Sequence, residues 1–299
     1  MTYWDISTAF YSGKSRSIGW LVSIGRSIRF KPDGLIMYLV SGIDTTIYQF
    51  TLSIPWDITT AVYSEKYLDV GKQDGSPQDI SFNLDGSILY MLGDSNDTVF
   101  QYDLTGKKTK NPKPPSPPLS TPWDISSFVY NRIKLDISSL TTHLFGLFFS
   151  SDGTIFYTLD PNIDTVYQFT LFIPWDITSG EDSHKFFHHG ALFCMSKNIA
   201  FSSDGTKLYI LYLSPLVVGQ YTLSIPWDLS TASYSNKFFY VGEQATYNHG
   251  ISFSNIGSEM YILCVDTKTV YQYTLPETPP PPPKKEASRT GTYSFKTLS

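Results

Sequence analysis

Hydrophobic and polar residues alternate in short runs along most of this chain, and the runs predict β-strands. Within one stretch, Ile199–Ser202 is followed by a Ser-Asp-Gly turn and then by Lys207–Tyr212. The Asp204-Gly205 pair accepts a positive φ at low cost, which favours a tight turn between antiparallel strands. The stretch therefore predicts a β-hairpin.

Two further strands follow each hairpin. The alternating Tyr-Gln-Tyr-Thr-Leu segment, Tyr271–Leu275 in the last copy, predicts a third strand. After a Pro-Trp-Asp loop, an aromatic run such as Lys237–Val241 predicts a fourth. No segment shows helical periodicity. Four antiparallel strands in about 50 residues are typical of a β-propeller blade.

The four-strand unit recurs five times. Five of the six tryptophans follow at steps of 52, 67, 52 and 52 residues (56 − 4, 123 − 56, 175 − 123, 227 − 175). Five strand glutamines and five turn glycines repeat the same steps. Three markers in one register predict an all-β fold, a five-bladed β-propeller of about 52-residue four-stranded repeats. The markers are Trp4, Trp56, Trp123, Trp175 and Trp227; Gln49, Gln101, Gln168, Gln220 and Gln272; and Gly34, Gly86, Gly153, Gly205 and Gly257.

The chain starts and ends partway through a repeat. It opens on a Trp-Asp-Ile loop at Trp4, and its last repeat ends with a third strand at Val270–Leu275. We expect Ser17–Ile24 to supply the missing fourth strand by pairing with Val270–Leu275, since ring closure removes exposed sheet edges. The predicted propeller domain spans residues 1–275, and residues 276–299 form a Pro-rich linker and tail.

Two Pro-rich segments interrupt or follow the repeats. The 67-residue step between Trp56 and Trp123 exceeds the others by a 15-residue insertion (67 − 52), Gly106–Ser120. The tail contains Pro279–Pro283 followed by two lysines. Proline donates no hydrogen bond to a sheet, and clustered prolines favour an extended polyproline II path. Both segments follow third strands, so we expect them to leave one face of the disc as arms that bind a protein partner.

Composition excludes some classes of function. The net charge of −5 and pI near 5.5 give no electrostatic case for nucleic-acid binding. No apolar run approaches 18 residues, so no membrane span is predicted, and the first residues do not resemble a secretory signal. We expect a virion or extracellular-facing location reached without such a signal, with a cytoplasmic location as the alternative. Cys194 and Cys264 are predicted to be free thiols in the core.

The repeat resembles a known class of propeller sequences. Its Ser-Asp-Gly-Thr, Tyr-Gln-Tyr-Thr-Leu and Pro-Trp-Asp-Ile motifs are similar to the WD-repeat-like β-propeller repeats found in phage and bacterial proteins. Five copies cover Trp4–Leu275. The resemblance implies a surface or virion-associated interaction module and carries over no catalytic residues. Local departures include Ile256-Gly257 in place of Asp-Gly.

One set of residues varies at a fixed position in the repeat. Seven residues ahead of each Asp-Gly turn position, just before each predicted inner strand, the sequence places five chemically different side chains. In a propeller these loops surround the mouth of the central channel, so the set predicts a binding site for one asymmetric ligand or, equally, a solvated loop under little constraint. The five are Arg26, Gln78, Phe145, Lys197 and His249.

Other recurrent residues have structural and functional interpretations. Each Trp-Asp pair could form a glycan-stacking platform, but filling the gap between blades and closing a loop is favoured. The strand glutamines are predicted to satisfy buried loop backbone groups. Asp97 and Asp164, each four residues before its glutamine, are weak candidates for a channel Ca²⁺ site, although turn capping is favoured. No cofactor is predicted.

The sequence supports three functions in order of preference. The first is a non-catalytic interaction module of a virion or surface assembly, docking through its Pro-rich arms. The second is a glycan-binding or receptor-binding propeller that uses the channel-mouth residues. The third is a metal-dependent hydrolase or lactonase with a channel metal near Asp97 and Asp164. No Ser/His/Asp motif, phosphate-binding loop or zinc spacing supports an enzyme directly.

Overall fold

A computed structural model describes residues 3–104, 121–141, 143–190, 193–244 and 246–277. These residues form five four-stranded antiparallel sheets. The inner strand of each sheet packs against the inner strands of the two neighbouring sheets, so the sheets close into a ring. The prediction of an all-β, five-bladed propeller is confirmed.

The strands run from the inside of the ring to its rim in each blade. Blade 1 consists of β2 (Gly25–Phe30), β3 (Ile36–Ser41), β4 (Thr46–Leu52) and β5 (Ala61–Asp69), and blade 2 of β6 (Pro77–Phe82), β7 (Ile88–Gly93), β8 (Thr98–Leu104) and β9 (Phe128–Asp136). Blade 3 consists of β10 (Phe145–Phe149), β11 (Ile155–Asp160), β12 (Thr165–Leu171) and β13 (Gly180–His188), and blade 4 of β14 (Cys194–Phe201), β15 (Lys207–Ser214), β16 (Leu216–Leu223) and β17 (Ala232–Tyr240). Blade 5 combines β18 (Asn248–Phe253), β19 (Glu259–Cys264) and β20 (Thr269–Thr274) with the N-terminal strand β1 (Phe10–Ser17).

A short 3₁₀ helix precedes each rim strand. Its N-cap is the aspartate of the Trp-Asp pair, whose carboxylate accepts a hydrogen bond from the backbone N–H two residues later. These helices are Ile6–Thr8, Ile58–Thr60, Ile125–Ser127, Ile177–Ser179 and Leu229–Thr231. Among the described residues, no helix has the length and apolar character needed to cross a membrane.

The N-terminal segment closes the ring, but through different residues from those predicted. Strand β1, Phe10–Ser17, pairs with β20, whereas residues 18–24 form the loop that leads into blade 1. The prediction of Ser17–Ile24 was therefore wrong in its bounds. The loop resembles a strand in sequence because Ile18 and Val22 are buried in the core. The true strand is polar because the rim is solvent-exposed.

The disc has two faces, defined by their loops. The upper face carries the loops from each rim strand to the next inner strand and the loops between second and third strands. The lower face carries the Asp-Gly turns and the Trp loops. Leu104 ends β8 and Leu275 directly follows β20, both at the lower face, as predicted for the residues that precede the two Pro-rich segments. The segments themselves, in residues 105–120 and 278–299, lie outside the described residues.

Each tryptophan packs on the turn glycine of its own blade. The five tryptophans have positive φ values, and a Cβ placed on the glycine would lie 2.1–2.5 Å from the indole ring. The Trp175 backbone N–H also donates to the Gly153 carbonyl at 2.9 Å, and Trp56, Trp123 and Trp227 repeat this bond with the glycines of their own blades. The glycine is therefore required both for its positive φ and for the absence of a side chain.

Neighbouring blades are joined by two repeated hydrogen bonds. A buried tyrosine donates to the Trp carbonyl of the next blade, as Tyr157 does to Trp227 at 2.6 Å, and this bond occurs at all five joints. At four joints, a strand glutamine accepts from the first 3₁₀ N–H of the next blade, as Gln168 does from Leu229 at 2.9 Å. These glutamines thus pair buried loop N–H groups.

The joint between blades 2 and 3 lacks the second bond. Gln101 donates instead to Asp103 at 3.1 Å, and its own Oε1 is buried with no partner among the described residues. The four other joints also carry a Lys–Asp ion pair, such as Lys185–Asp228 at 2.7 Å. At this joint Ile133 occupies the lysine position and packs into the core.

Candidate functional site

The guanidinium of Arg29 fills the middle of the channel. Its N–H groups donate to the backbone carbonyls of Ile80 at 3.1 Å, Ile251 at 2.8 Å and Leu147 at 3.1 Å, and to that of Ile28 in its own strand at 3.2 Å. A longer contact of 3.4 Å reaches the Asn198 side-chain oxygen in blade 4. One side chain thus contacts inner strands of all five blades.

Asp79 is the charge partner of this arginine. Its fully buried carboxylate pairs with the Arg29 guanidinium and accepts from the Leu147 and Ile80 N–H groups, both at 2.8 Å. Burial raises the pKa of Asp79, and Arg29 and the two N–H groups oppose that rise. Because every contact to the carboxylate is a donor, we assign it the ionised form. The pair divides the channel into an upper and a lower mouth.

The five variable residues lie at the upper mouth, inside the inner strands rather than before them as predicted. Four of them are the unpaired residue of a β-bulge near the start of their strand; in blade 3 the bulge falls one residue later, at Gly146. A bulge re-aims the side chain out of the sheet. The position therefore places Arg26, Gln78, Lys197 and His249 around the mouth.

Three of these side chains form one basic cluster. Arg26 Nη1 lies 3.4 Å from His249 Nδ1, and Lys197 Nζ lies 4.8 Å from the centre of the Phe145 ring. Burial lowers the pKa of Lys197, and Arg26 lowers it further. The pKa of His249 falls to about 3, mainly through burial and then through the charges of Arg26 and Lys197. Burial is thus the larger cause of both shifts, and the neighbouring positive charges add to it.

Carboxylates border the cluster on the side of blades 2 and 3. Asp94 acts electrostatically on both Arg26 and Lys197, but its oxygens contact the Leu144 N–H at 2.9 Å and, at 3.5 Å, the amide of Gln78. Gln78 also donates to Ser76 at 3.0 Å. The upper mouth is therefore basic on one side and acidic on the other.

Asp97 and Asp164 occupy equivalent loops of blades 2 and 3, both at positive φ. Burial is the main cause that raises the pKa of each carboxyl, with nearby Asp94 adding to the rise at Asp97. Within the described residues, no group of three His, Cys, Asp or Glu side chains is placed to hold a metal ion. The centre of the channel holds the Arg29 guanidinium, which has no atom that coordinates a metal ion.

The lower mouth is lined by aromatic rings. A cavity of about 270 Å³ lies below Arg29 between blades 1 to 3, and a second of about 200 Å³ lies beside blades 4 and 5. Their walls include one phenylalanine from each blade, packed 5.1–5.7 Å from a tryptophan ring: Phe30, Phe82, Phe149, Phe201 and Phe253. Because this ring pair recurs in every blade, we attribute it to packing.

The Trp-Asp pairs do not stand as open platforms. Each indole lies over its glycine turn and against the phenylalanine ring, and each of Asp5, Asp57, Asp124 and Asp228 accepts from a lysine of the preceding blade. Of the two cysteines, Cys264 is buried as expected, whereas Cys194 is exposed at the start of β14. The expectation of a second core thiol was wrong.

Sequence reasoning missed Arg29 and Asp79. The signal was present, because each is a charged residue at an inner-strand position that is uncharged in the other four blades, and the two lie in consecutive repeats. The other residues at the Arg29 position are Ser81, Phe148, Ala200 and Ser252. An arginine that occurs at only one of five equivalent positions indicates that this position lies at the symmetry axis of the ring, because there is room there for only one such group.

Comparisons with known proteins do not assign this chain to a family. No protein-family model and no curated protein matches the chain. Similar solved structures include a protein of unknown function from Desulfotomaculum acetoxidans (15% identity, TM-score 0.47, covering 80% of this chain and 62% of that one). Another is a Bacteroides uniformis protein provisionally named a 6-phosphogluconolactonase (13%, 0.49, 84% and 66%).

A third similar structure is a nidogen/laminin complex (11% identity, TM-score 0.49, covering 85% of this chain and 77% of that one). The present chain is thus shorter than the first two proteins, spanning less than two thirds of their length. At these identities the names say nothing of this chain's ligand. The resemblance to phage and bacterial propeller repeats stays a prediction.

Proposed function

We propose that this protein is a non-catalytic binding propeller whose ligand sits at the upper mouth of the central channel. The observation that carries the proposal is the convergence there of the five residues that differ from blade to blade. The residues that build the blades recur at nearly every joint, whereas Arg26, Gln78, Phe145, Lys197 and His249 do not. A ligand without five-fold symmetry requires such an asymmetric surface.

The closed channel supports binding rather than passage. Arg29 forms a floor beneath the upper mouth, and its donors are already paired with carbonyl and carboxylate oxygens. A ligand that enters from the upper face would therefore stop at this floor. Basic and acidic side chains at the described upper mouth supply charges that can hold such a ligand.

Docking through the Pro-rich segments is compatible with this function. Leu104 and Leu275, which precede the two segments, lie at the lower face, opposite the upper mouth. One face would therefore attach the disc to an assembly, and the other would present a ligand site. Deletion of residues 276–299 tests the attachment: incorporation into the particle or complex should fall, and unchanged incorporation would remove the docking role from the tail. The virion location remains part of this proposal.

The ligand site is tested by screening the full chain on a glycan array and against small metabolites by thermal shift. Three proteins are compared: wild type, Phe145→Ala at the upper mouth, and Leu84→Ala, whose side chain is 72% exposed on the lower face. Hits should be lost in Phe145→Ala and kept in Leu84→Ala. The reverse pattern, or no hit with wild type, would contradict the upper-mouth site.

A further inference from the structure

We infer that the ligand of the upper mouth presents a compact oxyanion, a carboxylate, phosphate or sulfate group, to Arg26, Lys197 and His249. The inference rests on the proposed function, because it names the ligand chemistry of the same site. It is carried by the hydrogen-bonding capacity of the three side chains, none of which forms an ion pair with a carboxylate of the described residues.

The tautomer of His249 follows from its neighbour. A guanidinium has only donors, so the 3.4 Å contact with Arg26 Nη1 requires His249 Nδ1 to accept. The imidazole proton is thereby assigned to Nε2. His249 is only 3% exposed, and its Nε2 has no hydrogen-bond partner in the described part of the chain. A buried N–H therefore lacks an acceptor.

Arg26 and Lys197 also carry donor atoms without an acceptor. Arg26 Nε is buried and has no partner in the described ranges. No ion pair or hydrogen bond from Lys197 Nζ to a described residue occurs; its contact is with the ring of Phe145. Leaving a buried donor unpaired costs about 1–3 kcal/mol. Since all three groups donate, the ligand that satisfies them must accept.

Charge points to an anion rather than a neutral acceptor. Arg26 and Lys197 come from different blades, and each lies close enough to His249 to lower its pKa. Asp94 offsets part of this charge at a distance, but its salt-bridge contact is His143 at 3.4 Å. A planar guanidinium fork matches carboxylate and phosphate geometry, and an ammonium binds either as a point charge. A single oxyanion would satisfy the cluster.

The experiment is a calorimetric titration of the full chain in a chloride buffer. Glucuronate and glucose form a matched pair that differs in one carboxylate, and acetate, phosphate and sulfate separate the oxyanion types. We expect saturable binding of at least one anion and none of glucose. Absence of saturable binding of every anion up to about 10 mM would overturn the inference.

Variants locate the site. Arg26→Gln and Lys197→Gln should each weaken anion binding about tenfold or more, since each removes a charged hydrogen bond. Lys134→Gln removes the same charge from an exposed rim position and should leave binding unchanged. If all three variants lost anion affinity equally, binding would depend only on the net charge of the protein, and the assigned site would be wrong.

A second measurement protects the conclusion if a variant folds poorly. In wild-type protein, the ¹⁵N resonance of His249 Nε2 should shift on anion binding, and that of His184, on the exposed rim, should not. Failure of the inference can be told apart from failure of the proposed function. If wild type binds neutral ligands that Phe145→Ala does not bind, and no anion binds, the upper-mouth site is retained and the oxyanion ligand is rejected.

Discussion

The guanidinium of Arg29 is paired with the buried carboxylate of Asp79 at the centre of the channel. Through this pair, inner strands of all five blades share one hydrogen-bond network. Buried ion pairs gain little net stability as pairs, but removal of one partner leaves an uncompensated charge. The pair therefore makes the ring dependent on two side chains that do not recur in the other blades.

Arg29→Met should destabilise the fold by about 3–5 kcal/mol at neutral pH, because it leaves Asp79 charged and buried. Adding Asp79→Asn to the variant should restore part of the loss. The deficit should also shrink as the pH falls, since a carboxyl with a raised folded-state pKa is stabilised by its own protonation. Urea denaturation measures these differences. A single variant as stable as wild type would contradict this role.

Gly153→Ala should cost more than Gly13→Ala. Both glycines have positive φ, +71° and +80°, so each alanine loses roughly 1–2 kcal/mol from backbone strain. At Gly153 the new Cβ would also lie 2.1 Å from the Trp175 ring, whereas nothing lies within 4 Å at Gly13. We expect about 1–3 kcal/mol more from the clash, measured by chemical denaturation. Equal losses would show that the indole moves freely.

Gln168→Leu should destabilise the protein by about 1–3 kcal/mol, because the buried N–H of Leu229 loses its acceptor. Gln101→Leu is the matched control at the joint between blades 2 and 3, where the Gln101 Oε1 has no hydrogen-bond partner among the described residues. It loses only a bond to Asp103 and should cost less. Thermal and urea unfolding of both variants make the comparison. The opposite order would mean that the N–H bond does not stabilise the joint.

Stability should fall below about pH 6.5 because of two buried histidines. His189 and His249 have folded pKa values of about 3, below the unfolded value of about 6.5. The unfolded chain therefore binds protons first as the pH falls, and stability present above about 6.5 is lost progressively toward 3. Each histidine contributes a slope of at most about 1.4 kcal/mol per pH unit.

His249→Gln should therefore reduce the slope of unfolding free energy between about pH 7 and about pH 5.5 in an anion-free buffer. His184→Gln is the control, because that side chain is 90% exposed. It should leave the slope unchanged. A His249 variant with the wild-type slope would show that folding does not lower the pKa of this histidine.

The sequence by itself determined the blades. Strand alternation, Asp-Gly turns and the steps of 52 residues are local or periodic signals, so they predicted five four-stranded units and the use of the N-terminus to close the ring. The exact closing strand was missed because burial of Ile18 and Val22 in a loop gives the same apolar pattern as a strand.

Only the tertiary structure decided which side chains meet. The partners of Arg29 lie up to 222 residues away, and its position in the repeat holds Ser, Phe or Ala in the other blades. The convergence of Arg26, Lys197 and His249 likewise depends on three bulges and on a closed ring. Such contacts form across the symmetry axis, and no local pattern encodes a distance that exists only after five blades have closed around it.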